Sequence, residues 1–129
     1  MNDRPTAVEL LGAVRRFLQE EVVPELEGPR RYHARVAANV VAIVAREIET
    51  EESQLVAEWE RLGSVLADAA PPPASREALR RGVSLRSEEL VRRIRAGDAD
   101  AGPWRREVLA HLRATVADKL DVAKPPRED

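Results

Sequence analysis

The chain contains no cysteine and few aromatic residues, and both shortages exclude classes of function. Without cysteine there can be no disulfide, no thiolate nucleophile and no zinc site built on thiolates. The aromatic residues are too few for a platform that stacks single-stranded nucleic acid; they are Phe17, Tyr32, Trp59 and Trp104. Long apolar runs are missing as well, so no transmembrane helix and no contact with a membrane are expected.

Charge of either sign is not in excess. The 21 basic and 23 acidic residues give a net charge of −2, and nothing in that balance drives the whole domain onto nucleic acid. The first ten residues, MNDRPTAVEL, lack the basic and apolar regions of a secretory signal. A cytoplasmic protein is the expectation, in agreement with the absence of cysteine.

Catalytic motifs are missing too. The sequence has no glycine-rich phosphate loop, no G-x-S-x-G and no H-E-x-x-H. Its two histidines, His33 and His111, lack the Glu-x-x-His spacing of a di-iron bundle site. We therefore expect a non-enzymatic domain without cofactor or metal.

Apolar residues recur every three or four positions along most of the chain, which indicates amphipathic helices. No β pattern of useful length interrupts them. At 129 residues the chain suits one helical domain over 1–129, and short connections favour antiparallel neighbours. The prediction is an all-α, up-and-down antiparallel bundle of four to five helices, at about 7–23, 30–49, 51–68, 75–96 and 103–121.

Capping and helix-breaking residues set these boundaries. Thr6 and Glu9 have the spacing of a capping box, and Ser75 is expected to cap the fourth segment. Thr50 is expected to end the second segment and start the third. The proline-rich stretch 69–74 cannot continue a helix and is predicted to be a connector inside the domain. Residues 123–129 are predicted to form a frayed tail.

The second segment is rich in alanine, which lets neighbouring helices approach closely and favours a central position. Its apolar stripe is predicted at Val36, Val40, Ile43 and Ile48. Asn39 lies beside that stripe and is therefore expected to be at least half buried. A buried amide that lacks a hydrogen bond costs about 1–3 kcal/mol.

Two interpretations of the polar residues in this segment stay open. Asn39 either pins the register of packed helices, or it lines a groove together with Tyr32 and Arg35. In the second case Arg35 would pair with the carboxylate or phosphate of an anionic ligand. The residues proposed for this groove, for a ligand or a partner, are Tyr32, His33, Arg35, Asn39 and Arg46.

The fourth segment, REALRRGVSLRSEELVRRIR, carries the strongest charge feature. Arg81, Arg92 and Arg95 fall near one face of a helix. That face is either solvated or a docking face for an acidic protein, because interspersed glutamates dilute the field that nucleic acid would need. Self-association through leftover apolar stripes, giving a homodimer, is a further expectation.

Four stretches in order resemble a small bacterial all-helical domain family of unknown function. They are DRPTAVELLGAVRRFLQEEVVPEL, RYHARVAANVVAIVARE, RIRAGD and LRATVADKLDVAKP, and the resemblance spans about residues 3–125. Genes of this family often lie near aminoglycoside-phosphotransferase-like kinases and acyl-CoA dehydrogenases. The resemblance implies an accessory domain for such an enzyme and no catalytic residues, while the final AKPPRED departs from the family's usual ending.

The sequence thus predicts a helical accessory or protein-interaction domain. A helical domain that binds a small anionic molecule near Tyr32, Arg35 and Asn39 is the alternative.

Overall fold

The computed structural model describes residues 4–124 and is entirely helical apart from its connections. Helix α1 (Ala7–Phe17) continues into a π-helical turn (Leu18–Val22) and a short 3-10 turn (Val23–Glu25). Three further helices follow: α2 (Gly28–Leu66), α3 (Arg76–Arg95) and α4 (Pro103–Ala123). Residues 4–124 contain no strand, so the predicted all-α fold is confirmed. The predicted tail lies outside the described residues from position 125 on.

Helix α2 is continuous across the two segments that were predicted at about 30–49 and 51–68. Its 39 residues run through Thr50 without a break. Thr50 does not cap a new helix, because its hydroxyl donates a hydrogen bond of 2.8 Å to the Arg46 carbonyl one turn earlier. Threonine can satisfy its side chain inside a helix in this way. The prediction of a stop at this residue was therefore wrong.

The other helix boundaries follow the predicted caps. Thr6 accepts a hydrogen bond from the Glu9 amide at 3.2 Å, and Ser75 accepts one from the Ala78 amide at 3.1 Å. After α3, Gly97 adopts a left-handed backbone with φ of 90°. A β-carbon would disfavour that conformation, which is why glycine commonly ends helices. Despite Gly82 and its serines, α3 is continuous.

The chain divides into two compact units. The first comprises residues 4–50 and 122–124 of the described chain, and the second comprises residues 51–121. Helix α2 contributes to both. No helix within residues 4–124 has the length and apolar character needed to cross a membrane.

The hydrophobic core of the second unit is built where α2, α3 and α4 meet. Leu62 is fully buried, and the aromatic body of Trp59 lies beside it. The remaining buried members are Val65, Leu79, Val83, Leu90 and Val108.

Within the second unit, α3 runs parallel to α2. Arg76 at the start of α3 pairs with Glu52, and Arg86 further along α3 bonds the Trp59 carbonyl. Contacts that advance together along both helices define a parallel pair. This order differs from the predicted up-and-down arrangement.

Helix α4, in contrast, runs antiparallel to α2. Trp104 near the start of α4 donates a hydrogen bond to the Val65 carbonyl near the end of α2. Gln54, earlier in α2, donates one to the Asp118 carbonyl near the end of α4.

The proline-rich connector makes the parallel order possible. The eight residues from 68 to 75 can span about 25 Å when they are extended. The helix between Glu52 and Leu66 is only about 21 Å long at 1.5 Å per residue. The connector therefore runs back along α2 before α3 begins, and the Trp59 indole holds it by donating a 2.9 Å hydrogen bond to the Ala70 carbonyl.

A buried arginine holds the connector in place along α2. Arg86 is 7% exposed, and its guanidinium lies 3.3 Å from the centre of the Trp59 ring. It donates hydrogen bonds to the carbonyls of Trp59 and Asp68 and pairs with the Asp68 carboxylate at 3.3 Å. Each buried donor thus has a partner, as a buried charge requires.

In the first unit α2 buries alanines rather than its larger residues. Ala34, Ala38 and Ala42 are buried. The stripe predicted to be buried lies largely in solvent, since Val36, Val40 and Ile48 are all exposed and only Ile43 is partly covered. That prediction was wrong because small residues allow the closest approach of another element, so they set the buried side.

Candidate functional site

Helix α4 presents its apolar residues to solvent. In its second half the inward position is taken by His111, which is only 5% exposed. Four large apolar residues spaced three or four apart are 39–55% exposed: Leu109, Leu112, Val116 and Leu120. A surface helix normally shows the opposite pattern. The apolar stripe of this helix, formed by Trp104, Val108, Leu112, Val116 and Leu120, is thus buried only at its start.

A shallow apolar pocket adjoins these residues. It has a volume of about 370 Å³ and is lined chiefly by Ile94, Ala99, Val108, Leu109 and Leu112. Its polar rim consists of Asp100 and Arg105, where the Arg105 guanidinium donates to the Asp100 carbonyl at 3.1 Å. We call Leu109, Leu112, Val116, Leu120 and this pocket the α4 face. All of it belongs to the second unit.

Beneath the α4 face, α2 and α4 meet through a polar cluster. Arg61 pairs with Asp118 at 3.2 Å. Three buried atoms have no hydrogen-bond partner among the described residues: Arg61 Nε, His111 Nδ1 and Thr115 Oγ1. A cavity of about 240 Å³ borders the cluster and is lined in part by Arg61, Glu107 and His111. Such orphaned polar atoms weaken a helix–helix contact.

The environment of the cluster shifts the pKa values of two side chains in opposite directions. Burial lowers the pKa of the His111 imidazole, and the positive charge of Arg61 lowers it further. Burial raises the pKa of the Glu58 carboxyl, and the nearby charges of Arg61 and Lys119 only partly offset that effect. Both shifts favour the neutral form, as desolvation does.

A second apolar surface lies in the first unit, on the side of α2 opposite its buried alanines. Five large residues, each four positions after the last, are 39–66% exposed: Tyr32, Val36, Val40, Val44 and Ile48. We call these five the α2 row. In the same unit α1 exposes Leu10, Val14 and Phe17.

The predicted polar groove lies on this same part of α2. Tyr32, His33, Arg35 and Asn39 are all exposed, which corrects the expectation that Asn39 is buried. Arg46 is the exception: its Nε donates a 2.8 Å hydrogen bond to the Val122 carbonyl, and the side chain is half buried. The cavities described above do not include these residues. Their role in binding stays a prediction.

The predicted docking arginines do lie on one face of α3. Arg81 pairs with Glu77 at 3.5 Å, and Arg92 forms two hydrogen bonds with Glu89 at 2.9 and 2.6 Å. Arg95 is exposed, and no ion pair of its side chain is present among the described residues. Two of the three charges are thus neutralised locally, and docking through this face stays a prediction.

The polar cluster could not be predicted from histidine spacing, because neither His33 nor His111 has the spacing of a di-iron site. Residues 4–124 hold no group of three or more His, Cys, Asp or Glu side chains that could bind a metal. The available signal was the spacing of His111, Thr115 and Asp118, which share one side of α4. The apolar stripe on the other side was the stronger pattern and was taken as the buried one.

The comparison with known families assigns most of the chain. A family described as a domain of unknown function, DUF6285, matches residues 24–126. The chain belongs to this family. The match begins within the short turn before α2, so α1 precedes it, whereas the resemblance noted from the sequence began near residue 3. No similar protein was found among curated proteins, and no similar solved structure was found.

Proposed function

We propose that this DUF6285 chain is a non-enzymatic accessory domain that binds another protein through the α4 face. The observation that supports the proposal is the reversed pattern of α4, which buries His111 and exposes four large apolar residues. Exposed apolar patches rimmed by polar groups are typical of protein interaction sites.

The shape of the α4 face favours a helix as the element that binds it. Residues spaced like Leu109, Leu112 and Val116 present a stripe against which an amphipathic helix can lay its own apolar side. The pocket beside Leu109 is of a size to receive one large side chain. Asp100 and Arg105 at its rim offer charges of both signs for orientation.

The proposed partner is a cytoplasmic enzyme. The resemblance noted from the sequence suggests a phosphotransferase-like kinase or an acyl-CoA dehydrogenase, both of which are much larger than this domain. The arginines Arg81, Arg92 and Arg95 on α3 would then assist docking if the partner surface is acidic.

Site-specific photo-crosslinking in the native cell tests this proposal. With benzoylphenylalanine replacing Leu112, irradiation is expected to give one discrete adduct, whose mass identifies the partner. The adduct should disappear when Val116→Asp is added, because a charge in the stripe opposes burial.

Ala117 is the matched control, since it is exposed on α4 but lies away from the stripe. Benzoylphenylalanine at this position should give no such adduct. Equal yields at the two positions, or no adduct at Leu112, would contradict the proposal.

Binding of a small anion is the second candidate function. Arg35 is exposed, and among residues 4–124 it has no carboxylate within salt-bridge distance, so its guanidinium is available to a phosphate or carboxylate. Tyr32 and Asn39 lie within one turn of it. Phosphate that raises the melting temperature of the wild type but not of Arg35→Gln would support this candidate.

A further inference from the structure

We propose that the chain forms a two-fold symmetric homodimer in which the α2 row of one copy packs antiparallel against the same row of a second copy, centred on Val40. This inference concerns the first unit and does not depend on the α4 face.

The spacing of the α2 row suits helix–helix packing. Its five residues follow one another at intervals of four, and residues so spaced form the ridges that interdigitate in the commonest class of packed helices. The opposite side of α2 is already covered, since Ala34, Ala38 and Ala42 are buried. The α2 row is therefore the side of this helix that is free to receive another helix.

The row is symmetric about its middle residue. In an antiparallel pair with a two-fold axis at Val40, facing residues have numbers that sum to 80, twice 40. Val36 then faces Val44, and Val40 faces its own copy. Tyr32 and Ile48 lie about 80° to either side of Val40 around the helix and flank this contact. Each of the three valines meets a valine, as an interface made of one patch used twice requires.

The charges beside the row obey the same symmetry. The pairing rule places His33 opposite Glu47, and both lie within about 20° of Val40 around the helix axis. Both side chains are exposed, and among the described residues neither takes part in an ion pair. Opposite charges that face each other across an interface fix its register. A second copy of this chain thus supplies both the apolar and the charged complement.

The exposed area suits a weak dimer. With on the order of 150–250 Å² for a fully exposed large side chain, the α2 row offers roughly 400 Å² per chain. A standard interface buries about 800 Å² on each partner, so we expect association at micromolar rather than nanomolar concentrations.

The first experiment locates the axis with a single cysteine, which the chain otherwise lacks. In the purified full chain, Val40→Cys is expected to give a covalent dimer on mild oxidation or with a short bismaleimide. Leu85→Cys is the control, because Leu85 is even more exposed but lies on α3 of the other unit. Similar yields for both variants would overturn the proposal.

The second experiment tests the register by sedimentation equilibrium across micromolar concentrations. We expect the wild type to approach twice its mass of 14.4 kDa. His33→Glu and Glu47→Arg should each weaken the dimer about tenfold or more, because each removes the complementary pair at two places in the interface. Combining both changes should restore the affinity to within about threefold of the wild type.

A circular-dichroism melt confirms that these surface variants remain folded. A monomeric wild type, or a dimer whose affinity the combined variant fails to rescue, would overturn the proposal. A monomer that still gives the Leu112 adduct would leave the proposed accessory function intact, so the two failures can be told apart.

Discussion

At position 82 the indole of Trp59 occupies the space that a β-carbon would need. A methyl group built on Gly82 would lie 2.7 Å from Cζ3 of that ring. The ring cannot easily move, because its nitrogen is bonded to Ala70 and the Arg86 guanidinium covers its face. The glycine in the middle of α3 is therefore a packing requirement.

Gly82→Ala is expected to lower the free energy of unfolding by about 1–2 kcal/mol. Overpacking costs about 1–3 kcal/mol, and the better helix propensity of alanine returns only part of it. Gly12→Ala in α1 is the matched control, since only the flexible end of Arg16 comes within 3.5 Å of the added carbon. That variant should gain about 0.5–1 kcal/mol. Urea unfolding that reveals equal effects at both glycines would contradict this account of Trp59.

Arg86 illustrates a limit of residue-level prediction. It is one of several arginines in α3, and the sequence offers no mark that separates it from exposed Arg81 or Arg92. Its burial depends on the connector, which brings the Asp68 carbonyl and carboxylate to its guanidinium. Only the three-dimensional path of the chain identifies it.

Helix α4 carries two valines in opposite environments: Val108 lies in the core and Val116 is exposed. Val108→Ala is expected to cost about 1–3 kcal/mol, because Val108 is buried in the core and a cavity would remain. Val116→Ala should change stability by less than about 0.5 kcal/mol, because that side chain is 55% exposed. Thermal or urea unfolding of both variants measures the difference. Equal losses would mean that the second half of α4 buries its apolar stripe after all.

Helix positions could be predicted from the sequence far better than the sides that the helices bury. Hydrophobic periodicity and the caps at Thr6 and Ser75 depend only on residues that are close in sequence. The sequence therefore shows them directly. The choice between the alanines and valines of α2 depends on which element packs there, which no local pattern contains. The same is true of α4, where an apolar and a polar stripe lie on opposite sides and the apolar one is buried only at its start.

The direction of α3 could not be predicted for a related reason. The predicted connector, 69–74, has a length that is usual in bundles, and short connections favour antiparallel neighbours. In the structure the connection is longer, because α2 ends at Leu66 and α3 begins at Arg76, and this gives it enough reach to run back along α2. The candidate sites were affected likewise: the predicted groove residues lie on one exposed side of α2, but Asn39 is not buried and Arg46 is bonded to Val122.

At the scale of the whole molecule, the buried imidazole of His111 links stability to pH. Its pKa is lowered by burial and by Arg61, whereas an unfolded histidine titrates near 6.5. As the pH falls below about 6.5, the unfolded chain therefore takes up a proton before the folded one does. The free energy of unfolding should decline from there until the pH passes the lower folded pKa.

The measurement is urea unfolding at intervals between about pH 7.5 and 5. In His111→Gln the decline should be clearly smaller than in the wild type, because the proton-binding group is gone. Ala117→Gln is the control at an exposed position of the same helix and should keep the wild-type slope, because it removes no titratable group. A decline that persists in His111→Gln would assign the pH dependence to other groups.

The return path of the proline-rich connector also has a kinetic consequence. In a helical hairpin the first contacts form beside the turn, between residues close in sequence. Here the pairs that close α2 on α3, such as Glu52 with Arg76, are separated by 24 positions along the chain. Because rates of folding fall as such separations grow, this domain should fold more slowly than a hairpin bundle of equal length.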